Sequence, residues 1–491
     1  MEARTFLNYI DGEWQESDNR EEMIRENPTN REPATVTPLS TSSDVGKAID
    51  SARKAFDSGA WSDARPEYRA KALMRLARLI EASLAELAAL ESTENGKILK
   101  NSTGEITNAI DHVEYFSALA RNLKGDAIPQ GTTALSLALK EPVGVCGLIV
   151  PWNSPVELTI RKLAPALAAG CTIVLKPSSI TPGTILFLAK IIDRAEIPRG
   201  VVNVVTGSGK IVGEAIVRSD KVDKISFTGD STTGKRILAL ASETMKRVSM
   251  ELGGKSPFIV FKDANLEKAV PSSLWAIFRN CGQSCTAGSR LLLEESIHDD
   301  FIQKLIQLTR NLRIGDPFDP GTDMGPMASS GQLQKTLQYI QIGLEEGAHL
   351  VYGGSRLDNA PYSKGYFMQP SILDGVSRNA RVSQEEIFGP VLSVISFKDE
   401  ADAIDAANCT QFGLASSIWT RDLNRTIRIS RRLKAGDVWV NGYGLRVAQA
   451  PMGGFKGSGI GRELGEKGLE EFLEYKHVGF DFSEDYVRPA K

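Results

Sequence analysis

The segment "KISFTGDSTTGKRILALA", residues 224–241, carries the pattern that decides the fold. A β-rich run ends at Phe227, Gly229 allows a tight turn, and Ser231 and Thr232 suit the N-cap of the helix that follows. A strand that passes through a turn into a helix is the first half of a βαβ unit, in which crossover helices join parallel strands. The segment therefore predicts a parallel sheet with helices packed on its faces.

The same alternation of β-rich runs and helical patterns returns on both sides of this segment. The other strand candidates are "VGVCGLIV" (143–150), "CTIVLKP" (171–177) and "VVNVVTG" (201–207), then "SPFIVF" (256–261), "SRLLLEE" (289–295), "VLSVISF" (391–397) and "GDVWVNG" (436–442). Near the N-terminus, residues 67–90 predict one amphipathic helix, with leucine or isoleucine at helical spacing. Two α/β blocks in one chain predict two domains with a cleft between them.

A phosphate site is one use for such a turn, because exposed backbone N–H groups at a helix start attract anions. The spacing from Gly229 to Gly234 is not the usual dinucleotide fingerprint, and Asp230 adds a negative charge where a phosphate would approach. Two other glycine-rich stretches, 207–213 and 457–462, compete for the same role. Spacing alone leaves the choice among the three open.

Composition is that of a globular protein, with 42% hydrophobic and 24% charged residues and a formal net charge of −3. Neither this charge nor any dense Lys/Arg run favours a nucleic-acid partner. The N-terminus lacks the pattern of a secretory signal, and no apolar run reaches membrane-spanning length. Five cysteines in 491 residues do not suggest a disulfide scaffold. We therefore expect a cytoplasmic location and no membrane partner.

Two of these cysteines, Cys281 and Cys285, lie four positions apart in "FRNCGQSCTAGSR" (278–290). None of the four histidines lies in a cysteine-containing stretch, and the spacing differs from that of zinc knuckles, so we expect no metal site. The alternatives are two buried small hydrophobic residues or a nucleophile paired with a base. Since no histidine is nearby in sequence, the candidate base is a carboxylate, Glu251, beside a glycine pair.

Seven motifs, in this order, make the chain resemble the aldehyde dehydrogenase superfamily over nearly its whole length. They are "VPWNSP" (150–155), "VLKPS" (174–178), "FTGDSTTGK" (227–235), "MELGGKSP" (250–257), "GQSC" (282–285), "EEIFGPV" (385–391) and "PMGGFKGSGIGRE" (451–463). The resemblance implies an α/β aldehyde dehydrogenase fold with a Rossmann-like cofactor domain, an α/β catalytic domain and a small β oligomerisation element. It also implies oxidation of an aldehyde to a carboxylic acid with NAD or NADP.

The resemblance assigns a role to five catalytic candidates. Cys285 is the nucleophile that attacks the aldehyde carbon, and Asn153 with the backbone N–H of Cys285 stabilises the oxyanion. After hydride leaves, Glu251 activates the water that hydrolyses the thioester. Lys162 and Glu463 match positions that relay protons to solvent. Under this assignment Cys281 is structural.

For the cofactor, the resemblance implies contacts from eight residues, Trp152, Lys176, Ser179, Gly229, Asp230, Gly234, Glu386 and Phe388. Many NAD-preferring members carry glutamate where this chain has Ser179. A carboxylate there repels the 2′-phosphate of NADP, so serine predicts that NADP is tolerated. The cofactor prediction is NAD or NADP.

For the substrate, Arg161 and Arg279 match arginines of succinate-semialdehyde dehydrogenases that bind a distal carboxylate. Ser154 replaces a bulky aromatic residue and predicts a roomier tunnel, and Glu157 could pair with Arg161 at i,i+4 spacing. The best prediction is a carboxylate-bearing semialdehyde. Neutral medium-chain or aromatic aldehydes are the alternative, and a CoA-acylating or non-catalytic relative is a weaker one because Glu251 and Cys285 are both present.

The resemblance also implies how the chain is divided. The NAD(P)-binding domain is predicted from 1–119 and 143–253, the catalytic domain from 254–453, and the oligomerisation element from 120–142 and 467–491. Pairing of that element across subunits predicts a homodimer or homotetramer.

Overall fold

Two large sheets and the helices around them form most of the protein, and the computed structural model describes residues 3–483 of it. All eight β-rich runs named above contain a strand. This agreement follows from burial, because strands covered on both sides read as short continuous apolar runs.

The first sheet has eight strands, five of them parallel. In spatial order they are Gly459–Ile460, Arg247–Glu251, Lys224–Thr228, Val145–Ile149, Thr172–Lys176, Val202–Val204, Asn8–Ile10 and Glu13–Gln15. The five parallel strands, numbered along the chain, lie in the order fifth, fourth, first, second and third. This is the order of a doubly wound dinucleotide-binding sheet.

Apolar side chains cover both faces of this sheet. Along Val145–Ile149, Cys146 and Leu148 pack into one core cluster, whereas Val145 and Ile149 pack into another. Successive strand residues point to opposite faces, so a strand that is apolar at every position needs cover on both sides. Helices supply that cover.

The second sheet has seven strands. In spatial order they are His349–Tyr352, Ser371–Asp374, Val391–Phe397, Arg290–Glu294, Pro257–Val260, Ala415–Trp419 and Asp437–Val440. All neighbours are parallel except the edge strand that begins at His349. A separate apolar cluster packs around this sheet.

Three small sheets complete the strands. One is antiparallel and contains Leu473–Asp481, Ala134–Pro142 and Asp126–Pro129. The others contain Arg4–Thr5, Pro33–Pro38 and Glu22–Glu26, and Phe412–Gly413 with Phe455–Lys456.

The helices mostly connect or cover strands. They are Ser42–Asp57, Pro66–Ala82, Leu84–Asn95, Leu99–Ala120, Pro155–Ala169, Pro182–Asp193, Glu214–Arg218, Ser231–Ala241, Leu266–Phe278, His298–Arg310, Ser330–Glu345, Arg381–Gln384, Glu400–Asn408, Leu423–Arg432 and Gly465–Glu470. Within residues 3–483 none of them is long and apolar enough to cross a bilayer.

The single helix predicted over residues 67–90 is wrong. The chain forms Pro66–Ala82 and Leu84–Asn95, separated at Ser83, whose φ of −106° and ψ of 7° leave the helical region. The apolar period runs through the break, with Ile80 and Leu87 both fully buried, so periodicity alone could not reveal it.

The predicted boundary between residues 253 and 254 falls between the two large sheets, after the strand that ends at Glu251. The domain limits nevertheless stay a prediction. Residues 1–2 of the predicted cofactor domain and 484–491 of the predicted oligomerisation element lie outside the described residues.

Candidate active site

A long groove of about 850 Å³ opens at the carboxyl ends of the first sheet's parallel strands. It begins where Val145–Ile149 and Lys224–Thr228 lie side by side, which is the point where the strand order reverses. In open α/β sheets, ligands bind at this switch point because the loops after the two strands diverge and leave a crevice.

Most of the predicted cofactor residues lie on this groove. The seven that line it are Trp152, Lys176, Ser179, Gly229, Asp230, Glu386 and Phe388. Gly234 is not among them. A Cβ at Gly234 would lie 2.6 Å from Leu252 Cδ2, so this glycine allows the helix to pack closely against the sheet.

Asp230 caps the helix at the edge of the groove, in place of the predicted Ser231 or Thr232. Its carboxylate accepts hydrogen bonds from the backbone N–H of Thr233 at 2.9 Å and from the Thr233 hydroxyl at 2.6 Å. An aspartate N-cap stabilises a helix because it satisfies otherwise unpaired N–H groups. The negative charge that weakened the anion-site prediction therefore serves the helix itself.

Glu386 reaches the groove through the glycine pair that follows Glu251. Its Oε1 accepts a hydrogen bond from the Gly254 N–H at 3.0 Å, and a Cβ at Gly253 would lie 2.4 Å from Oε2. Burial raises the pKa of Glu386 to about 7, against the opposing effect of that hydrogen bond. Any side chain at residue 253 would displace this carboxyl group.

Two groove residues that sequence reasoning missed hold the loop carrying Glu386 and Phe388. Gln332 Nε2 donates to the carbonyls of Ile387 at 2.9 Å and Phe388 at 2.8 Å, and Lys335 Nζ donates to the Glu386 carbonyl at 3.1 Å. Both lie on one face of helix Ser330–Glu345, which matches no quoted motif. In the sequence, only the i,i+3 spacing of Gln332 and Lys335 indicates that they could act together.

A second cavity, of about 300 Å³, meets the groove at Asn153 and Cys285, which line both spaces. Its walls come from helix Leu99–Ala120, the start of helix Pro155–Ala169, and two further segments, 275–287 and 443–448. A thiol at this junction can be approached from two sides.

Cys285 is half-buried, and its backbone packs against the glycine pair. A Cβ at Gly254 would lie 2.3 Å from the Cys285 carbonyl oxygen, so only glycine permits this approach. Burial raises the pKa of the Cys285 thiol to about 12, while the guanidinium groups of Arg446 and Arg161 act in the opposite direction. The resting thiol is therefore protonated.

Cys281 lies in the core and makes different contacts. Its thiol donates to the Gly325 carbonyl at 2.9 Å, and burial raises its pKa strongly. It lines neither the groove nor the second cavity. This environment suits an inert packing residue.

Glu251 ends its strand as a buried residue beside an ion pair between Lys162 and Glu463. Burial, and then the charge of Glu463, raise its pKa well above the ordinary value, against Lys162 and Arg161. Its Oε2 is buried without a hydrogen-bond partner among the described residues. Glu251 lines neither the groove nor the second cavity.

All four predicted substrate residues, Ser154, Glu157, Arg161 and Arg279, line the second cavity. The predicted i,i+4 pairing of Arg161 is also present. Its guanidinium forms an ion pair with Glu157, four residues earlier. Arg279 pairs with Glu105 at 2.8 Å and lies over the Trp275 ring at 4.9 Å. Both guanidinium groups thus have a protein partner.

Several lining residues of this cavity were missed by sequence reasoning. They are Glu105, Asn108, Asp111 and His112 on one face of helix Leu99–Ala120, with Tyr443 and Arg446 from the segment after strand Asp437–Val440. None belongs to a quoted motif, and only tertiary packing brings them together. Among residues 3–483, no group of three or more His, Cys, Asp or Glu side chains is arranged to hold a metal ion.

A model of the aldehyde dehydrogenase family matches residues 14–478. The chain belongs to the aldehyde dehydrogenase family. This confirms the resemblance and the fold class, and as a family member the protein is an oxidoreductase.

Members of the aldehyde dehydrogenase family from bacteria and fungi are similar over almost the whole chain. Betaine aldehyde dehydrogenase of Bacillus subtilis is 43% identical over 471 residues, covering 96% of both chains. An aldehyde dehydrogenase of Aspergillus niger is 41% identical over 473 residues, covering 96% of this chain and 94% of the relative. The crystal structure of Staphylococcus aureus betaine aldehyde dehydrogenase in complex with NAD+ has a TM-score of 0.97 at 39% identity, covering 99% of this chain and 97% of that one.

Proposed function

We propose that this protein oxidises an aldehyde to the carboxylic acid with NAD+ or NADP+, using Cys285 as the nucleophile. One observation carries the proposal: Cys285 lies where a dinucleotide-sized groove meets a smaller polar cavity. Cofactor and aldehyde could therefore reach the same sulfur atom from different sides. The NAD+ complex of the Staphylococcus aureus relative supports the use of the groove for a dinucleotide.

The first half of the reaction rests on Cys285 and Asn153. The Cys285 thiol would lose its proton to the Glu251 carboxylate through a bridging water as the sulfur bonds to the aldehyde carbon. The Asn153 amide and the Cys285 backbone N–H would stabilise the oxygen that becomes negative. Bound in the groove, a nicotinamide dinucleotide supplies the hydride acceptor that turns the adduct into a thioester. Glu386 and Lys176 are suited to hold its ribose hydroxyls, since both side chains line the groove.

The second half rests on Glu251. Burial and the charge of Glu463 raise the pKa of Glu251 well above its ordinary value, so its ionised form would be a strong enough base to deprotonate the water that cleaves the thioester. The neighbouring Lys162–Glu463 pair offers a path for that proton. Release as a free acid, rather than transfer to coenzyme A, follows from the presence of this base.

For the cofactor, we propose that NADP+ is accepted as well as NAD+. Ser179 and Lys176 both line the groove, and the Lys176 ammonium has no carboxylate partner among the described ion pairs. Burial lowers the pKa of Lys176 to about 8, and a bound phosphate would favour its charged form.

For the substrate, we propose a short semialdehyde that carries a carboxylate, such as succinate semialdehyde. Arg161, Arg279 and Arg446 all line the second cavity. Guanidinium groups at a cavity wall favour a ligand with a carboxylate, which they can bind through charge-assisted hydrogen bonds.

Betaine aldehyde is the competing substrate, because the Bacillus subtilis and Staphylococcus aureus relatives are named betaine aldehyde dehydrogenases. A trimethylammonium group needs open aromatic faces or free carboxylates. Here Arg279 already covers Trp275, and Glu157 and Glu105 are already paired with cations. These contacts remove one aromatic face and two carboxylates from a cationic substrate and leave Asp111 as the lining carboxylate without a described ion pair.

For the assembly, we propose a homodimer or homotetramer built through the small antiparallel sheet of residues 126–142 and 473–481. Its exposed apolar side chains include Ile128, Tyr475 and Phe480. An edge strand with exposed apolar residues is stabilised when another subunit covers it. Light scattering at micromolar concentration would test this, and a monomer would contradict it.

The proposed activity is tested by measuring dinucleotide reduction with succinate semialdehyde, butanal and betaine aldehyde, each with NAD+ and NADP+. We expect activity with both cofactors, and a kcat/KM for succinate semialdehyde about tenfold or more above that for butanal. No reduction with any aldehyde would overturn the proposed function. A preference for betaine aldehyde would overturn only the substrate class.

A further inference from the structure

The three arginines of the second cavity differ in how firmly the protein holds them. Arg161 is 3% exposed, forms an ion pair with Glu157 and contacts Met452 Sδ at 3.1 Å. Arg279 is held by Glu105 at 2.8 Å and by the Trp275 ring. A new carboxylate on either would have to compete with an existing contact pair.

The charges behind Arg279 are also balanced. Glu105 is shared with Lys97, but Lys97 has Glu91 as a second partner at 2.7 Å. Two carboxylates and two cations therefore form one buried network, which leaves no surplus positive charge. Arg279 is best described as one end of this network.

Arg446 is held more loosely. The nearest carboxylate oxygen, Asp437 Oδ2, lies 3.5 Å from its Nη2, at the limit of a hydrogen bond. Like Arg279, Arg446 lies over a tryptophan ring, Trp439 at 5.6 Å, and its side chain is 26% exposed against 31% for Arg279, so the long contact with Asp437 is what distinguishes it. Asp437 does not line the cavity, whereas Arg446 does. Most of the N–H donors of Arg446 are thus available to a ligand.

Arg446 also lies near the reacting centre. Its charge acts on both Cys285 and His112, which line the same cavity. His112 is 4% exposed, and its Nδ1 is buried without a partner among the described residues. Burial, with Arg161 and Arg446, lowers the pKa of His112 to about 3, so the ring is neutral and adds no second cation there. A neutral imidazole can donate one hydrogen bond to an anion.

We propose that Arg446, assisted by the His112 ring, is the main binding residue for the distal carboxylate of the substrate. This inference rests on the proposed function. Arg161 and Arg279 then act as positioning residues, since each maintains a protein ion pair on the cavity wall. The recognised class is a short aldehyde whose other end is a carboxylate.

The test compares Arg446→Leu, Arg446→Lys, Arg161→Leu and Arg279→Leu with the wild type. The readout is the ratio of kcat/KM for succinate semialdehyde to kcat/KM for butanal. Arg446→Leu should lower this ratio at least tenfold, chiefly by raising KM for succinate semialdehyde, and Arg446→Lys should restore part of it. Arg161→Leu and Arg279→Leu should lower kcat/KM for both aldehydes together. Arg161→Leu leaves Glu157 buried without its partner, and Arg279→Leu removes one of the two cations that pair with Glu105.

Arg425→Leu is a matched control outside the cavity. Arg425 also pairs with an aspartate, Asp263 at 2.8 Å, and also lies over an aromatic ring, Phe261 at 4.5 Å. Its removal should leave the substrate ratio unchanged. Binding of succinate, measured by calorimetry, gives a readout without turnover, and Arg446→Leu should weaken it at least tenfold.

The outcomes separate this inference from the proposed function. No activity in the wild type would refute the function, and no carboxylate preference in the wild type would refute the inference. An active, carboxylate-preferring wild type whose ratio changes less than twofold in Arg446→Leu would refute the inference alone. The inference alone would also be refuted if Arg446→Leu slowed alkylation of Cys285 by iodoacetamide but left succinate binding intact, because Arg446 would then act only on the thiol.

Discussion

The groove and the second cavity meet at one cysteine but are built in different ways. The groove follows the carboxyl ends of parallel strands, and more than half of its lining residues belong to the quoted sequence motifs. The cavity is formed by charged and aromatic side chains from four separate segments. Topology alone therefore locates the first space, whereas the second depends on which side chains a particular sequence places there.

The two spaces also differ in how they hold charge. In the groove, Lys176 and Glu386 are buried without an opposite charge in contact, and burial shifts the pKa of each toward its neutral form. In the cavity, Arg161 and Arg279 are each neutralised by a neighbouring carboxylate. Charged groups without a protein partner, as in the groove, suit a ligand that a whole family binds. Arginines already paired with carboxylates, as in the cavity, adjust which substrates are accepted.

The largest effect is expected at the residue that the two spaces share. Cys285→Ala should reduce aldehyde oxidation by at least on the order of 10⁴-fold, because no other thiol lines either space among the described residues. Dinucleotide binding, followed by fluorescence quenching, should persist. Cys281→Ala is the matched control and should keep most of the activity. Comparable turnover in both variants would contradict the role of Cys285.

Glu251→Gln should separate the two halves of the reaction. Loss of a general base lowers a rate by about 10²–10⁴-fold, so we expect one rapid turnover per active site followed by slow hydrolysis. In the wild type, turnover should rise with pH as the carboxyl group ionises, and the raised pKa of Glu251 moves this rise to higher pH than for an ordinary glutamate. Stopped-flow measurement of reduced dinucleotide checks both points. An unchanged steady-state rate would exclude Glu251 as the base.

A substitution at His112 tests whether this side chain of the cavity wall lowers the stability of the folded protein in acid. Its folded-state pKa of about 3 lies below its ordinary value of 6.5, so the folded protein loses stability as pH falls below about 6.5. By linkage, this one side chain should cost about 3 kcal/mol between pH 7 and pH 4. His112→Gln takes up no proton and should be spared that loss in urea unfolding at the two pH values. Equal losses in both proteins would refute the assignment.

Ser179→Glu addresses the groove and should have the smallest effect. A carboxylate beside the adenine ribose repels a 2′-phosphate, so KM for NADP+ should rise about tenfold while KM for NAD+ changes little. Ser179→Gln has nearly the same size without the charge and is the control. A similar change for both cofactors would remove the repulsion argument.

Sequence patterns could predict the α/β fold, the two large sheets and seven groove residues, because strand burial and family motifs are both local in sequence. Ser83 shows one limit, since a helix break that keeps the apolar period leaves no trace in that period. Gly234 shows another, since a glycine in a turn motif serves packing against Leu252 rather than the groove.

The cavity shows the deepest limit. Arg446 and His112 are 334 positions apart in the chain and match no motif, so only the folded protein reveals that they face one space. Lining residues drawn from distant segments depend on the packing of helix Leu99–Ala120 against the rest of the chain. The pairing of Arg161 with Glu157, in contrast, could be anticipated from i,i+4 spacing.

The shared position of Cys285 and Asn153 has a consequence for the order of events. If the proposed reaction takes place at Cys285, the reduced dinucleotide can leave through the groove without passing the acyl group in the cavity, because the two spaces are shared only at Asn153 and Cys285. Water can then follow the vacated path to the thioester. The reduced dinucleotide can thus be replaced by water while the acyl group stays bound.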